Sequence, residues 1–196
     1  VKKHYLNNNI HKLYGKDFSI ISSNCWGGIL YKDLGIRYQT PFVNMFMYAP
    51  CYIKMLQNLD YYLGLDLKFV SKSKYFSHIP SYPIGVLDGE EVHFIHYLNP
   101  EDVLAKWNER LKRLNNKKLI IVLSERDLCM PDHIKAFDDL NYKNKICFTV
   151  NRYKFNSTVQ LRGLAWNKEL PPADQIAGFS YKTLNIVSYL NHVCDT

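Results

Sequence analysis

The chain has 196 residues, enough for one well-buried core and short for two domains, so residues 1–196 read as a single domain. Hydrophobic residues make up 47% and charged residues 22%, the balance of a globular domain, and no apolar run approaches the ~18 residues of a membrane span. Twenty-five Lys and Arg against eighteen Asp and Glu give a net charge of +7, which favours acidic partners such as phosphorylated cofactors, nucleotide sugars or anionic lipid. The basic residues are scattered rather than striped, so nucleic acid is not an expected partner.

In chain order, 4–13 read as a short leading helix and 17–22 as a strand. "WGGILYKDLG" then allows a short helix with Ile29, Leu30 and Leu34 as apolar positions and Gly35 as its stop. An extended stretch covers 42–47, after Pro41. Pro50 opens a helix on which Ile53, Leu56, Leu59 and Leu63 recur at helical spacing up to Gly64. "LDLKFVSK" reads as a strand. In "YPIGVLDGEEVHFIHY", Asp88-Gly89 separates two alternating runs, the signature of a β-hairpin with a tight turn.

Asn99 is a good N-cap for the next helix, Pro100 suits its first turn, and Leu104, Trp107, Leu111 and Leu114 form its expected apolar stripe. "KLIIVLSERD" is a nearly continuous apolar strand, as expected when both faces are covered. A helix at 131–139, strands at 145–150 and near 157–161, and a last helix at 180–193 complete the pattern. Strands alternating with helices predict an α/β three-layer sandwich with a largely parallel sheet and a β-hairpin insertion.

Five cysteines stand at 25, 51, 129, 147 and 194, odd in number and widely spaced, with no Cys-x-x-Cys pair. That pattern argues against a disulfide framework and a zinc ribbon, and a reducing cytoplasm is the simplest compartment. The opening residues "VKKHYLNNNI" lack the apolar stretch of a secretory signal. Glycine-rich phosphate loops, His-Glu-x-x-His and Asp-x-Asp are all missing, so common nucleotide sites and a metal site are not expected.

The reactive side chains share a placement. In open α/β sheets, sites form beyond the carboxyl ends of strands, and Cys25, His96 and Asp127 each follow one. A helix beginning at Trp26 would aim its free N–H groups at the Cys25 sulfur and lower the thiol pKa. Gly27 and Gly28 would let backbone approach closely and hold an oxyanion. The same turn, with Asn24 and Trp26, could instead bind a phosphate or carboxylate, or Cys25 could be a small buried thiol.

Alternation puts Val92, Phe94 and His96 on one strand face, which makes His96 a candidate general base for Cys25, with His93 as substitute. Asp127 would orient a histidine or hold a substrate hydroxyl. Lys106, Arg110 and Arg113 give one helix a basic edge, able to hold donor phosphates or simply solvated.

"ISSNCWGG", "YPIG", "VHFIHY", "KWNERLKRLN" and "SERD", taken in order over most of 16–150, resemble a bacterial exopolysaccharide or capsule biosynthesis family of unassigned activity (domain of unknown function 1919). The resemblance implies a compact α/β fold and a setting in cell-surface polysaccharide assembly, but no reaction. Its motif positions are Asn24, Cys25, Trp26, Gly27, Gly28, His93, His96, Arg110, Arg113 and Asp127. A looser similarity of role is to capsule acyltransferases that pair a cysteine and a histidine with coenzyme A.

The expectation is therefore a cytoplasmic polysaccharide-biosynthesis enzyme, with peripheral association at the inner face of the membrane as one setting. Its reaction would be acyl or glycosyl transfer from a coenzyme A thioester or nucleotide sugar to a saccharide, with Cys25, His96 and Asp127 catalytic. The alternative is a non-catalytic polysaccharide-binding or regulatory protein of the same pathway.

Overall fold

The computed structural model describes residues 2–163 and 168–196. Among them, four strands form a parallel sheet: β1 (Ser19–Ser22), β5 (Leu119–Ser124), β6 (Lys145–Thr149) and β7 (Thr158–Gln160), in the spatial order β1-β5-β6-β7. Register is fixed by Ser22 opposite Val122 and Ser124 opposite Phe148. A second, antiparallel sheet holds β2 (Lys68–Val70), β3 (Ile84–Leu87) and β4 (Glu90–His93). Its hairpin turns at Asp88 and Gly89, both at positive φ (46° and 82°), as a two-residue turn with right-handed strand twist requires.

Strand alternation assigns the helices to faces. Ile20, Ile120, Val122, Ile146 and Phe148 pack with residues of α1 (Lys2–Asn9), α2 (Trp26–Asp33), α7 (Ala173–Leu184) and α8 (Ile186–Asp195). The intervening residues Ile21, Ile121, Leu123 and Cys147 pack with residues of α3 (Ala49–Gln57), α4 (Leu59–Leu63), α5 (Pro100–Leu111) and α6 (Pro131–Asp139). Helices thus cover both faces of the parallel sheet, and the fold is the α/β sandwich the sequence predicts. Tyr52 of α3 clamps it from below: its hydroxyl, fully buried, reaches the carbonyls of Ile21 (2.8 Å) and Val122 (3.0 Å). No helix among the described residues is long and apolar enough to cross a membrane.

Several details depart from the sequence pattern. The helix expected from Pro50 to Gly64 breaks at Asn58 (φ −146°, ψ 60°), a residue whose side chain competes with helical backbone bonding. The C-terminal helix is two, α7 and α8, joined through Asn185 in the left-handed region (φ 51°), and α7 begins after the Pro171-Pro172 pair. On α5 the buried line is Val103, Trp107 and Arg110, while Leu104 is exposed. Strand β4 stops at His93, so the alternation that aligned His96 with Val92 does not extend to it; His96 sits in a turn closed by the Tyr97 N–H on the Phe94 carbonyl (3.0 Å).

Candidate functional site

One short segment gathers the ends of three strands. The Phe46 N–H and carbonyl pair with His93 at the end of β4 (2.9 and 2.8 Å). Next to it, the Met47 N–H donates to the Ser23 carbonyl beyond β1 (2.8 Å), and the Ala49 N–H donates to the Asp127 carbonyl beyond β5 (2.9 Å). Because β1 and β5 are parallel neighbours, their exits already lie side by side; segment 45–49 adds the exit of β4. The stretch expected to be extended is thus a brace rather than a strand of either sheet.

Phe46 of the brace faces an open cavity of about 410 Å3, within the usual range for small-molecule sites. Asn24, Cys25, His96, Arg126 and Asp127 line it from the strand exits, Ile29, Phe46 and Ile95 form apolar wall, and Pro172 to Asp174 close it from the start of α7. Cys25, His96 and Asp127, spread over about 100 residues of sequence, therefore share one cavity, as the strand-exit rule anticipates.

The helix α2 does begin at Trp26, but the thiol pKa is not lowered. Burial pushes Cys25 up to about 11 and the Asp127 charge adds to this, while backbone hydrogen bonding at Met45 and the Arg126 charge offset it only in part; in the resting thiol, Sγ donates to the Met45 carbonyl at 3.4 Å. At neutral pH the group is a thiol. Burial likewise raises the Asp127 carboxyl, against the pull of Arg126, whose Nε donates to Oδ2 at 2.9 Å. Asp127 and Leu128 both have positive φ (56° and 63°), and left-handed backbone at a non-glycine pair is strain of the kind that gathers at functional sites. Asn24 spends its side-chain oxygen on the Trp26 N–H (3.0 Å), while its Nδ2 and the Arg126 Nη1 are buried without a partner among the described residues. His96 is exposed.

Other residues singled out from the sequence lie elsewhere. Trp26 is core: its Nε1 donates to Ser180 Oγ (2.9 Å) and its ring meets Phe148. The two glycines serve packing. A Cβ on Gly27 would come within 2.9 Å of Ile20, and one on Gly28 within 3.2 Å of Val43. Arg110 is buried, donating to Tyr97 Oη (2.7 Å) over the Tyr38 ring. Arg113 donates to the Tyr38 carbonyl and to Glu109, which also pairs with Lys106. The edge expected to hold phosphates is thus engaged within the fold, Lys106 and Arg113 sharing Glu109 and Arg110 packed between tyrosines, and it does not line the cavity.

His93 belongs to a sealed cluster behind the Phe46 wall. Its ring stacks on Phe46 (4.7 Å, 20°), and its Nε2 lies 3.1 Å from Glu91 Oε2. Glu91 also accepts from Ser73 Oγ and from the Lys74 N–H, both at 2.6 Å. Burial lowers the His93 pKa despite the Glu91 charge, so the imidazole is neutral, Nε2–H donates to Glu91, and Nδ1 is left to accept from Tyr82 Oη (3.4 Å).

Sequence reasoning missed Phe46, Arg126 and Asp174 as site residues. Arg126 carried a signal in its place beside Asp127 at a strand exit. Phe46 and Asp174 carried none, because only the tertiary fold brings the brace and the start of α7 to the same strand ends.

Residues 1–193 match the family described as Domain of unknown function (DUF1919), and the chain belongs to that family. It is 32% identical over 186 residues to an uncharacterized protein of Haemophilus influenzae (strain Rd), covering 92% of this chain and 87% of that protein.

Proposed function

We propose that this protein is a cytoplasmic enzyme of cell-surface polysaccharide biosynthesis that transfers an acyl group to a saccharide in the strand-exit cavity. The observation that carries the reading is the convergence of Cys25, His96 and Asp127 on one cavity of small-molecule size. Acyl transfer is preferred to glycosyl transfer because a cysteine paired with a histidine is an acyl-accepting nucleophile. Asp127 and Asp174 against the paired Arg126 make the lining suited to the uncharged thioester carbonyl and sugar hydroxyl, with the donor's phosphates outside it.

Because Cys25 rests as a thiol, attack requires a base at the moment of reaction. His96 takes the thiol proton as Sγ bonds to the thioester carbonyl carbon. The carbonyl–sulfur bond to the donor breaks, and the departing sulfur takes that proton from His96. A saccharide hydroxyl then attacks the acyl-cysteine, giving its proton through His96 to the leaving Cys25 sulfur. Asp127 orients the imidazole or holds the acceptor hydroxyl. Coenzyme A is the donor class this chemistry uses, at the inner face of the membrane where the polymer is assembled.

Replacing Cys25 by alanine should lower acyl transfer from a coenzyme A thioester at least about a thousand-fold while leaving thermal stability close to that of the parent. A coenzyme A thioester should also raise the melting temperature more than a nucleotide sugar does; the reverse order would favour glycosyl transfer. A second reading is a non-catalytic saccharide-binding partner, favoured by the neutral, hydrogen-bonded resting state of Cys25. It requires that Cys25→Ala retain full function in a capsule-complementation assay.

A further inference from the structure

A second concavity, of about 510 Å3, lies beside the carboxyl ends of β6 and β7, and its chemistry is opposite in sign to that of the strand-exit cavity. Arg152 and Arg162 both line it and both are exposed. No carboxylate lines it among the described residues, and residues 164–167, which follow in sequence, contain none. Neither arginine is held in an ion pair among the described residues, unlike Arg37, Arg113 and Arg126.

The neutral polar groups of this groove are turned the other way. Thr158 Oγ1 donates to the Phe155 carbonyl (2.8 Å), Thr183 Oγ1 to the Phe179 carbonyl (3.0 Å), and Gln160 Nε2 to the Val150 carbonyl (3.0 Å). Tyr153 Oη donates to the buried Glu125 carboxylate at 2.6 Å, and burial together with that carboxylate pushes the phenol up to about 12, so it keeps its hydrogen. A carbonyl or carboxylate only accepts, so the direction of these four bonds is settled. Each group has spent a donor hydrogen on the protein, and what its oxygen offers a ligand is lone pairs.

A bare anion satisfies the arginines but brings those lone pairs at most the one or two protons of a hydrogen phosphate. An uncharged polyol donates to the lone pairs but leaves two guanidinium groups with water. We propose that the groove binds an anionic saccharide, its acidic group held by Arg152 and Arg162 and its hydroxyls donating to the oxygens of Thr158, Thr183 and Gln160. Planar guanidinium forks suit phosphate and carboxylate alike, so the acid is either a sugar phosphate or a uronate. This site is separate from the strand-exit cavity and does not depend on the reaction proposed there.

The test is an NMR titration of the full chain with four probes at matched ionic strength: glucose, inorganic phosphate, glucose 6-phosphate and digalacturonate. At least one charged saccharide should bind about tenfold or more tightly than either glucose or phosphate, with shifts centred on 149–162 and 183. Preference between glucose 6-phosphate and digalacturonate identifies the source of the charge, and either preference supports the site. The double variant Arg152→Gln/Arg162→Gln should abolish that binding, Thr183→Val should weaken it severalfold, and the exposed Lys154→Gln and the cavity variant Cys25→Ala should leave it unchanged. Inorganic phosphate binding as tightly as the charged saccharides, equal loss in Lys154→Gln, shifts centred on residues 24–29, or no binding by any probe at millimolar concentration would each overturn the assignment.

Discussion

Phe46 has a cysteine, a histidine and a carboxylate on either side of it. Cys25, His96 and Asp127 line the cavity it faces, while Cys51, His93 and Glu91 are packed behind it. The hidden set is satisfied at nearly every atom: the Cys51 Sγ accepts from the Glu91 N–H (3.3 Å) and meets Tyr75 Oη (3.1 Å), and the Glu91 carboxylate takes bonds from Ser73, Lys74 and His93. The open set keeps strained backbone, an exposed imidazole and unpartnered buried donors on its neighbours Asn24 and Arg126. Residue type alone therefore does not mark a reactive site. What separates the two sets is whether bonding capacity has been consumed by the fold or left facing a space that a ligand can enter.

The comparison predicts unequal costs for parallel substitutions. Glu91→Ala should destabilise the protein by about 2–4 kcal/mol, since it strips a buried acceptor from three donors, whereas His96→Ala should change the denaturation midpoint little. Equal losses in urea unfolding would erase the distinction.

Thiol reactivity sharpens it next. With Cys25 raised from 9.0 to about 11, its alkylation by iodoacetamide at neutral pH should run about 100-fold slower than that of an ordinary cysteine, and should climb until pH 11. Peptide-resolved mass spectrometry separates it from Cys129 and Cys194; ordinary reactivity at pH 7 would place an activated thiolate there instead.

A smaller effect concerns acid. The His93 pKa is depressed in the folded state, so the unfolded chain takes up a proton more readily; stability is fully present above the ordinary value of 6.5 and is lost as pH falls from there through the lower folded value. Stability measured from pH 7.5 down to 5 should fall less steeply in His93→Gln than in the parent, and equal slopes would contradict the depressed imidazole. The smallest expected effect is Asn24→Ala, at about 1 kcal/mol, through loss of the bond to the Trp26 N–H that opens α2.

What the sequence revealed was local. Asn99 caps α5 by accepting from the Asp102 N–H (2.8 Å), Asp88-Gly89 turns the hairpin, and Pro131 to Asp139 form a helix as their pattern indicates. These signals depend on neighbours a few residues away. The strand-exit rule carried the reading one step further, to Cys25, His96 and Asp127 as a group. It failed where tertiary contact overrides pattern. Alternation extended β4 past His93 because nothing local records that Phe46 pairs there; glycines that resemble an anion turn are spaces for Ile20 and Val43; and Arg110, basic and helical, is buried against Tyr38 and Tyr97. The order β1-β5-β6-β7, which puts Cys25 beside Asp127, is a property of crossover connections that no single segment encodes.

The most direct test is to incubate the protein with a coenzyme A thioester, quench in acid and map the mass of every cysteine-containing peptide. The account predicts an acyl adduct on the peptide bearing Cys25, none on that bearing Cys51, and its discharge when a saccharide acceptor is added. Label found on Cys51, or on neither, under conditions where transfer proceeds would contradict it.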